Sequence, residues 1–368
     1  MLKRKFLAAG VIALLLLLAF LLSYFVFQVP IFDASGWYTC EDGKVEYLDY
    51  FGLPRTGWIT IEERQYYFDQ NGAMQTGWVT LENGRYYLGT DGVMVTGWVT
   101  QEDGKYYLRE DGTALAGWLE TSDGRYYFAP DYRMQTGWQE IEGKRFWLQN
   151  NGVAYTGWKT TPEARYYMLE DGAVATGFVT VDGTLRYFLE TGEYIPLINP
   201  ANPMTEDYVP QLVEVEGYPG YQVDATCVDA LTEMLAACKK AGNTVQINSA
   251  YRDLEQQQAM WEKYRKNYMA QGYSYDQAEK LTAGYVAVPG TSEHHTGLGI
   301  DIGKGEKTYA WLAEHCWEYG FILRYPDGKK SVTGFNYEPW HFRYLGKPLA
   351  ESVHKSGLTL EEYLQSIQ

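Results

Sequence analysis

Hydrophobic and polar positions follow three successive patterns along the chain. An uncharged run from Phe6 to Phe27 comes first, preceded by Lys3, Arg4 and Lys5. Its 22 residues would make a helix of about 33 Å, enough to cross a bilayer core of ~30 Å. The run ends in SYFVFQVP, without the small-residue cleavage site of a secretory signal. It therefore reads as a retained transmembrane anchor over residues 1–29. The basic end lies in the cytoplasm and everything after it on the outer surface of the cell membrane.

The second pattern is short-period and aromatic. Glycine followed by an aromatic recurs at Trp37, Trp58, Trp78, Trp98, Trp118, Trp138, Trp158 and Phe178, the first interval 21 residues and the later ones 20. Inside each period stands an aromatic pair, such as Tyr66-Tyr67, Tyr86-Tyr87 or Phe146-Trp147. An Asx-Gly turn such as Asn71-Gly72 or Asp91-Gly92 closes most units. Short aromatic strands separated by such turns at fixed spacing predict hairpins stacked into a solenoid over residues 30–195. No single unit can bury its aromatic face alone, so its neighbours must supply the other wall.

The third pattern begins after a break. Pro196, Pro200, Pro203 and Pro210 disfavour helix or central strand and predict a stiff linker over residues 196–208. Beyond it, CVDALTEMLAACKKAG has helical periodicity with Gly242 as its stop, and TVQINSAYR reads as a short buried strand. A helix is expected from Asp253 to Ala270. Capping boxes are expected at Ser274–Gln277 and Thr359–Glu362. Helices and strands without a regular βαβ rhythm predict an α+β domain over residues 209–350, with a helical tail over 351–368. The fold class is thus multidomain: a transmembrane helix, an all-β hairpin solenoid and a C-terminal α+β domain.

Charge and cysteine content narrow the functions. A formal net charge of -16 argues against a nucleic-acid partner, whose phosphates demand Lys and Arg. Cys40, Cys227, Cys238 and Cys316 form no CxxC pair, which disfavours a zinc knuckle. Cys227 and Cys238 share one predicted helix, about 16 Å apart, too far to bridge each other. Pairing of either with Cys316 stays open beside three buried thiols.

All five histidines lie in the C-terminal domain. TSEHHTGLGID offers His294, His295 and Asp301, and EPWHFRY offers His341 with Glu338 three positions earlier. Two imidazoles and a carboxylate are the donors of a catalytic zinc site that keeps one position for water. Spacing alone does not choose between His294 and His295. If GLGID is a strand, Gly299 leaves the space beside Asp301 clear for a metal. His315 and His354 sit in ordinary helical surroundings.

Two resemblances sharpen this reading. The repeats resemble the cell-wall-binding repeats of Gram-positive surface proteins, which include choline-binding and glucan-binding modules. That resemblance implies attachment to a wall polysaccharide or teichoic-type polymer. Where choline binders carry a second Trp, seven positions after the first, this chain has Gln65, Arg85, Lys105, Arg125, Arg145 and Arg165. A cationic wall suits carbohydrate or an anionic polymer better than a quaternary ammonium.

SEHHTGLGID, EPWHFRY and SAYRDLEQQ resemble the ordered motifs of the VanY-type D-alanyl-D-alanine carboxypeptidases, with Gly299 where that family often has Ala. The resemblance covers about Val209 to Gly346. It implies zinc (Zn2+) held by His294, Asp301 and His341, with His295 at a variable position, outer to the ligands or substrate-facing. Glu338 is then general base and acid, and Arg252 the partner of an oxyanion or of the substrate carboxylate. Ser292, Gln257, Tyr251 and Trp340 are implied to hold the substrate. The implied reaction is removal of the terminal D-alanine from peptidoglycan stem peptides. An L,D-carboxypeptidase or dipeptidase on the same scaffold, and a non-catalytic wall adhesin, are the alternatives.

Overall fold

A computed structural model describes residues 35–204 and 208–367. The expected transmembrane helix over Phe6–Phe27 lies outside the described residues. Among those described, no helix is long and apolar enough to cross a membrane, which corrects the expectation of a membrane-spanning element and of a membrane-anchored location. The longest described helix, Leu254–Ala270, carries Glu255, Glu262, Lys263, Arg265 and Lys266 within its 17 residues, charges that a hydrocarbon core would reject. The hairpin repeats and the α+β domain are as expected.

Each repeat is an antiparallel hairpin in which the Gly-Trp tryptophan faces the second aromatic of the pair. In the hairpin Gly57–Ile61/Arg64–Phe68, Trp58 lies opposite Tyr67 and Ile59 opposite Tyr66. Strand alternation turns the first tyrosine inward, so Tyr66, Tyr86 and Tyr106 are buried. After most hairpins the chain reverses on an Asx turn. Asp69 Oδ1 accepts from the backbone N–H groups of Asn71 and Ala73. Gly72 follows with φ +79°, where a Cβ would strike Pro54 of the preceding turn. The returning strand then bonds the preceding hairpin, Met94 N–H donating to the Gln65 carbonyl at 2.7 Å. Trp58 correspondingly meets Tyr86 of the next unit at 4.8 Å, edge to face. The second wall that one unit lacks is therefore its successor.

The described residues separate into two compact units, 35–139 with 148–154, and 140–147 with those from 155 onward. The second unit contains the hairpins Gly157–Thr160/Arg165–Met168 and Gly177–Val181/Thr184–Phe188 together with the α+β domain. Here the final hairpin is not a separate bead. Tyr187, Leu189 and Ile195 belong to the same buried cluster as Leu231, Ile300, Phe342 and Leu349. A Cβ on Gly346 would run into the Leu189 side chain. The segment read as a stiff linker is docked too: Ile198 is buried, and the buried Arg343 donates to the Pro196 carbonyl.

A fragment beginning at Val209 should consequently melt well below one beginning at Gly177. Exposing three apolar side chains and their contacts removes about 1.5–3 kcal/mol each, or roughly 10 °C or more for a domain of this size. Calorimetry on both fragments measures the difference, and equal melting temperatures would make the last hairpin dispensable.

The α+β domain is built on a four-stranded antiparallel sheet in the order Gln246–Ser249, Gly299–Gly303, His341–Tyr344, Phe321–Leu323. Helix Ala225–Lys240 covers one side through Leu231, Met234 and Leu235, with Cys227 and Cys238 buried beside them. All four cysteines are free thiols. Burial pushes the Cys316 thiol up to about 12, so it behaves as a small apolar side chain. Both expected capping boxes form, at Ser274–Gln277 and at Thr359–Glu362.

Candidate active site

The sheet register sets up the site. Ser249 pairs with Asp301, and Asp301 with His341, so one row across three strands carries all three residues on the same face. His294 arrives from outside the sheet, on the short 3-10 turn Glu293–Thr296. Ser292 caps that turn, its hydroxyl accepting from the His294 N–H at 3.3 Å. Gly297, at φ +69°, ends it, and a Cβ there would collide with the Asp224 backbone. Gly299 has a different purpose from the one expected. A Cβ there would meet the Glu293 main chain at 3.1 Å, so the glycine makes room for the turn that delivers His294 rather than for a metal.

The ligand atoms of His294, Asp301 and His341 all lie within 4.8 Å of one another. His294 Nδ1 is 2.7 Å from the Ala250 carbonyl. A carbonyl only accepts, so Nδ1 carries the proton and Nε2 presents its lone pair toward Asp301 Oδ2, 3.5 Å away. His341 is fixed the other way round. Its Nε2 faces Glu293 Oε2 at 3.4 Å and its Nδ1 faces Asp301 Oδ1 at 2.9 Å. Glu338 Oε2 stands 3.9 Å from the same Nδ1. Two ring nitrogens and a carboxylate therefore converge, each ring oriented by an acceptor behind it, the arrangement that metal-binding histidines adopt. The donor set suits a zinc-type dication, with one coordination position left over.

Burial and neighbours set opposite charge states within a few ångströms. Burial raises Asp301, but His294 and His341 outweigh it and hold the carboxylate well below its usual range. Burial lowers His341, yet Asp301 and Glu293 lift it to about 9. Glu338 is dominated by its own burial and is pushed up to about 7. A buried carboxyl poised there can both accept and release a proton near neutrality.

These groups line a cavity of about 350 Å³, together with Ser249, Arg252, Ser292 and Trp340 and an apolar side that includes Tyr264, Tyr285 and Phe335. Arg252 donates from Nη1 to Gln257 Oε1 at 2.6 Å and from Nη2 to the Ser249 hydroxyl at 2.8 Å. Gln257 itself is completely buried and donates to the Ala287 carbonyl. It braces Arg252 from behind and does not line the cavity. Tyr251 does not line it either; its backbone N–H donates to Gln222. His295 turns away as well, held between the Arg252 carbonyl at 2.7 Å and the Gly290 N–H at 3.2 Å. It supports the Arg252 loop and does not line the cavity. His315 pairs with Glu318, and His354 stacks on Trp317.

Sequence reasoning missed Glu293. The residue is 2% exposed, and its carboxylate is clamped by the buried Arg324 at 2.8 Å. The only available signal was an acid placed immediately before a candidate ligand, and its counter-charge is 31 residues away.

A family model described as VanY, D-alanyl-D-alanine carboxypeptidase, matches residues 220–347, the segment that holds all of these groups. Residues 220–347 form a VanY domain. The VanY domain is preceded by matches to a choline-binding repeat over residues 55–96 and 76–114, and to a putative cell wall binding repeat over 136–154. A D-alanyl-D-alanine carboxypeptidase of Enterococcus faecalis is 37% identical over 46% of this chain and 65% of its own length. Among solved structures, a vancomycin-resistance D,D-pentapeptidase VanY in complex with Zn(II) is 37% identical. It matches 46% of this chain and 97% of its own, with a TM-score of 0.44. A VanY complex with D-alanine-D-alanine is 36% identical over 47% and 97%, with a TM-score of 0.45. The chain spans less than two thirds of the length of that Enterococcus relative, and about half (52%) of a putative carboxypeptidase of Bacillus subtilis.

Proposed function

We propose that the chain is a zinc-dependent D-alanyl-D-alanine carboxypeptidase that removes the terminal D-alanine from peptidoglycan stem peptides. The convergence of His294, Asp301 and His341 beside the raised carboxyl of Glu338 carries this reading. Zinc bound by His294 Nε2, an Asp301 oxygen and His341 Nδ1 would supply a polarised carbonyl and a more acidic water. Glu338 takes a proton from the attacking water and passes it to the departing D-alanine amine. Arg252 is held as a fork by Gln257 and Ser249, lines the cavity and has N–H groups beyond those two bonds. They can pair with the carboxylate of the peptide terminus. Ser292 and Trp340 border the same space, whereas Gln257 acts by holding Arg252. Product masses from penta- and tetrapeptide substrates test the reaction. The pentapeptide alone is expected to become lighter by one alanyl residue, about 71 Da, which leaves as free D-alanine with the elements of the water that hydrolysed the bond. Cleavage of the tetrapeptide instead would reassign the bond.

The repeats serve to hold the enzyme at a carbohydrate wall polymer. The guanidinium groups of Arg85, Arg125 and Arg165 lie 4.2, 4.3 and 4.0 Å from the ring centres of Trp78, Trp118 and Trp158. Each covers a ring face that a quaternary ammonium would need. Trp98 is followed by Lys105 and is 44% exposed, with Tyr107 and Tyr126 edge-on at 5.4 and 4.9 Å. That is an aromatic corner suited to stacking on a pyranose. Full-length protein should therefore stay on wall polysaccharide in millimolar choline, and Trp98→Ala should weaken retention. Elution by choline would restore the ammonium reading.

A further inference from the structure

The helix Leu360–Ser366 contributes no residue to the cavity lining, yet one of its side chains is joined to the candidate metal centre by an unbroken line of polar contacts. Both oxygens of Glu361 accept from Arg324, from Nη1 at 2.9 Å and from Nη2 at 2.5 Å. Arg324 Nε donates to Glu293 Oε1 at 2.8 Å. The other Glu293 oxygen faces His341 Nε2 at 3.4 Å. The side chains of Arg324 and Glu293 are each 1% exposed, that of His341 5% and that of Glu361 15%.

Each link requires the next. An imidazole that donates Nε2–H to a carboxylate is locked in the tautomer that offers Nδ1 to a metal, with its ring plane set by that bond. A lone carboxylate at 1% exposure would be too costly to keep ionised, so Glu293 depends on the Arg324 charge. Arg324 is itself buried, and the Nη1 and Nη2 N–H groups that meet Glu361 would lose their acceptors without it. The bidentate pair with Glu361 also fixes the plane of the guanidinium, and through it the position of Glu293. Leu360, which is buried, and the Thr359–Glu362 capping box hold the first turn of the helix where Glu361 can reach.

We propose that Glu361 is a positioning residue for His341, acting through Arg324 and Glu293, so that the C-terminal helix is part of the support of the metal centre. The inference rests on His341 being a ligand. Glu362, the next residue, provides the control: it ties the same helix to Lys329 at 2.9 Å, makes no contact in this line, and as Gln it keeps the capping box that places the helix.

The experiment measures zinc affinity by chelator competition, together with kcat, KM and the melting temperature, for the full chain and for Glu361→Gln, Glu361→Asp and Glu362→Gln. Glu361→Gln should bind zinc about 10-fold more weakly and lose kcat with KM within about twofold, since the substrate carboxylate still meets Arg252. Glu361→Asp keeps the charge and should recover part of the affinity; it also carries the test if Glu361→Gln fails to fold. Glu362→Gln should lower the melting temperature and leave zinc affinity unchanged. Unchanged affinity in Glu361→Gln, or the same loss in Glu362→Gln, would overturn the proposal. Absence of zinc binding by the unaltered chain would overturn the metal reading itself, and the two failures are told apart by that one measurement.

Discussion

Glu338→Gln should retain zinc and lose its carboxypeptidase activity, with kcat/KM on a D-alanyl-D-alanine peptide falling about 10²–10⁴-fold. That range is what removal of one positioned proton-transfer group costs. Gln is nearly isosteric, and the three donors of His294, Asp301 and His341 are untouched, so metal content should stay at one equivalent. What disappears is a basic oxygen 3.9 Å from the ligand nitrogen of His341. Burial holds the Glu338 carboxyl near 7; a bound dication beside it would favour the ionised form and draw it down again. The acidic limb of the pH profile should therefore lie below 7 in the unaltered enzyme and vanish from the residual activity of the variant. Metal analysis and a D-alanine release assay read both halves of the prediction. Turnover close to that of the unaltered enzyme would remove Glu338 from its role. Loss of zinc would show instead that it is a ligand.

The contrast between Glu338 and Glu293 shows what was legible in the sequence. Glu338 is announced by its position three residues before His341, and the hairpins are announced by Gly-Trp and Tyr-Tyr spacing. Both are short-range regularities that strand alternation and turn chemistry convert directly into geometry. The capping boxes at Ser274 and Thr359 are of the same kind. Glu293, Arg324 and Glu361 look like surface charges in the sequence. Their burial follows only from contacts across 31 and 37 residues, which no local pattern encodes. Gly299 and Gln257 were legible as motif positions but not in their purpose. One admits the Glu293 turn and the other braces Arg252, because packing behind the site decides their surroundings. The apolar run Phe6–Phe27 carries a strong hydropathy pattern but lies outside the described residues, among which no helix is long and apolar enough to cross a membrane.

His341→Ala should abolish zinc binding and activity together, and it should do more damage than the loss of a ligand alone. Removing the ring deletes one of three donors, and a site with two protein donors rarely competes with water for the ion. The stabilisation that zinc gives the folded protein goes with it, about 2.7 kcal/mol at a zinc concentration 100-fold above the dissociation constant. The same ring also separates a partly buried carboxylate, Asp301 at 2.9 Å, from a fully buried one, Glu293 at 3.4 Å. Without it they face an empty space with no imidazole between them. Glu293 keeps Arg324, but Asp301 retains only His294 at 3.5 Å, and breaking a buried pair in this way costs about 3–5 kcal/mol. In the unaltered protein, zinc should raise the melting temperature and a chelator should lower it. In His341→Ala the melting temperature should already lie below the chelated value and respond to neither. The extra loss separates this site from a surface metal site, where removing a ligand would leave the variant melting like the chelated protein. A variant that melts there, or one that still holds an equivalent of zinc, would mean that His341 does not join the two carboxylates around one ion.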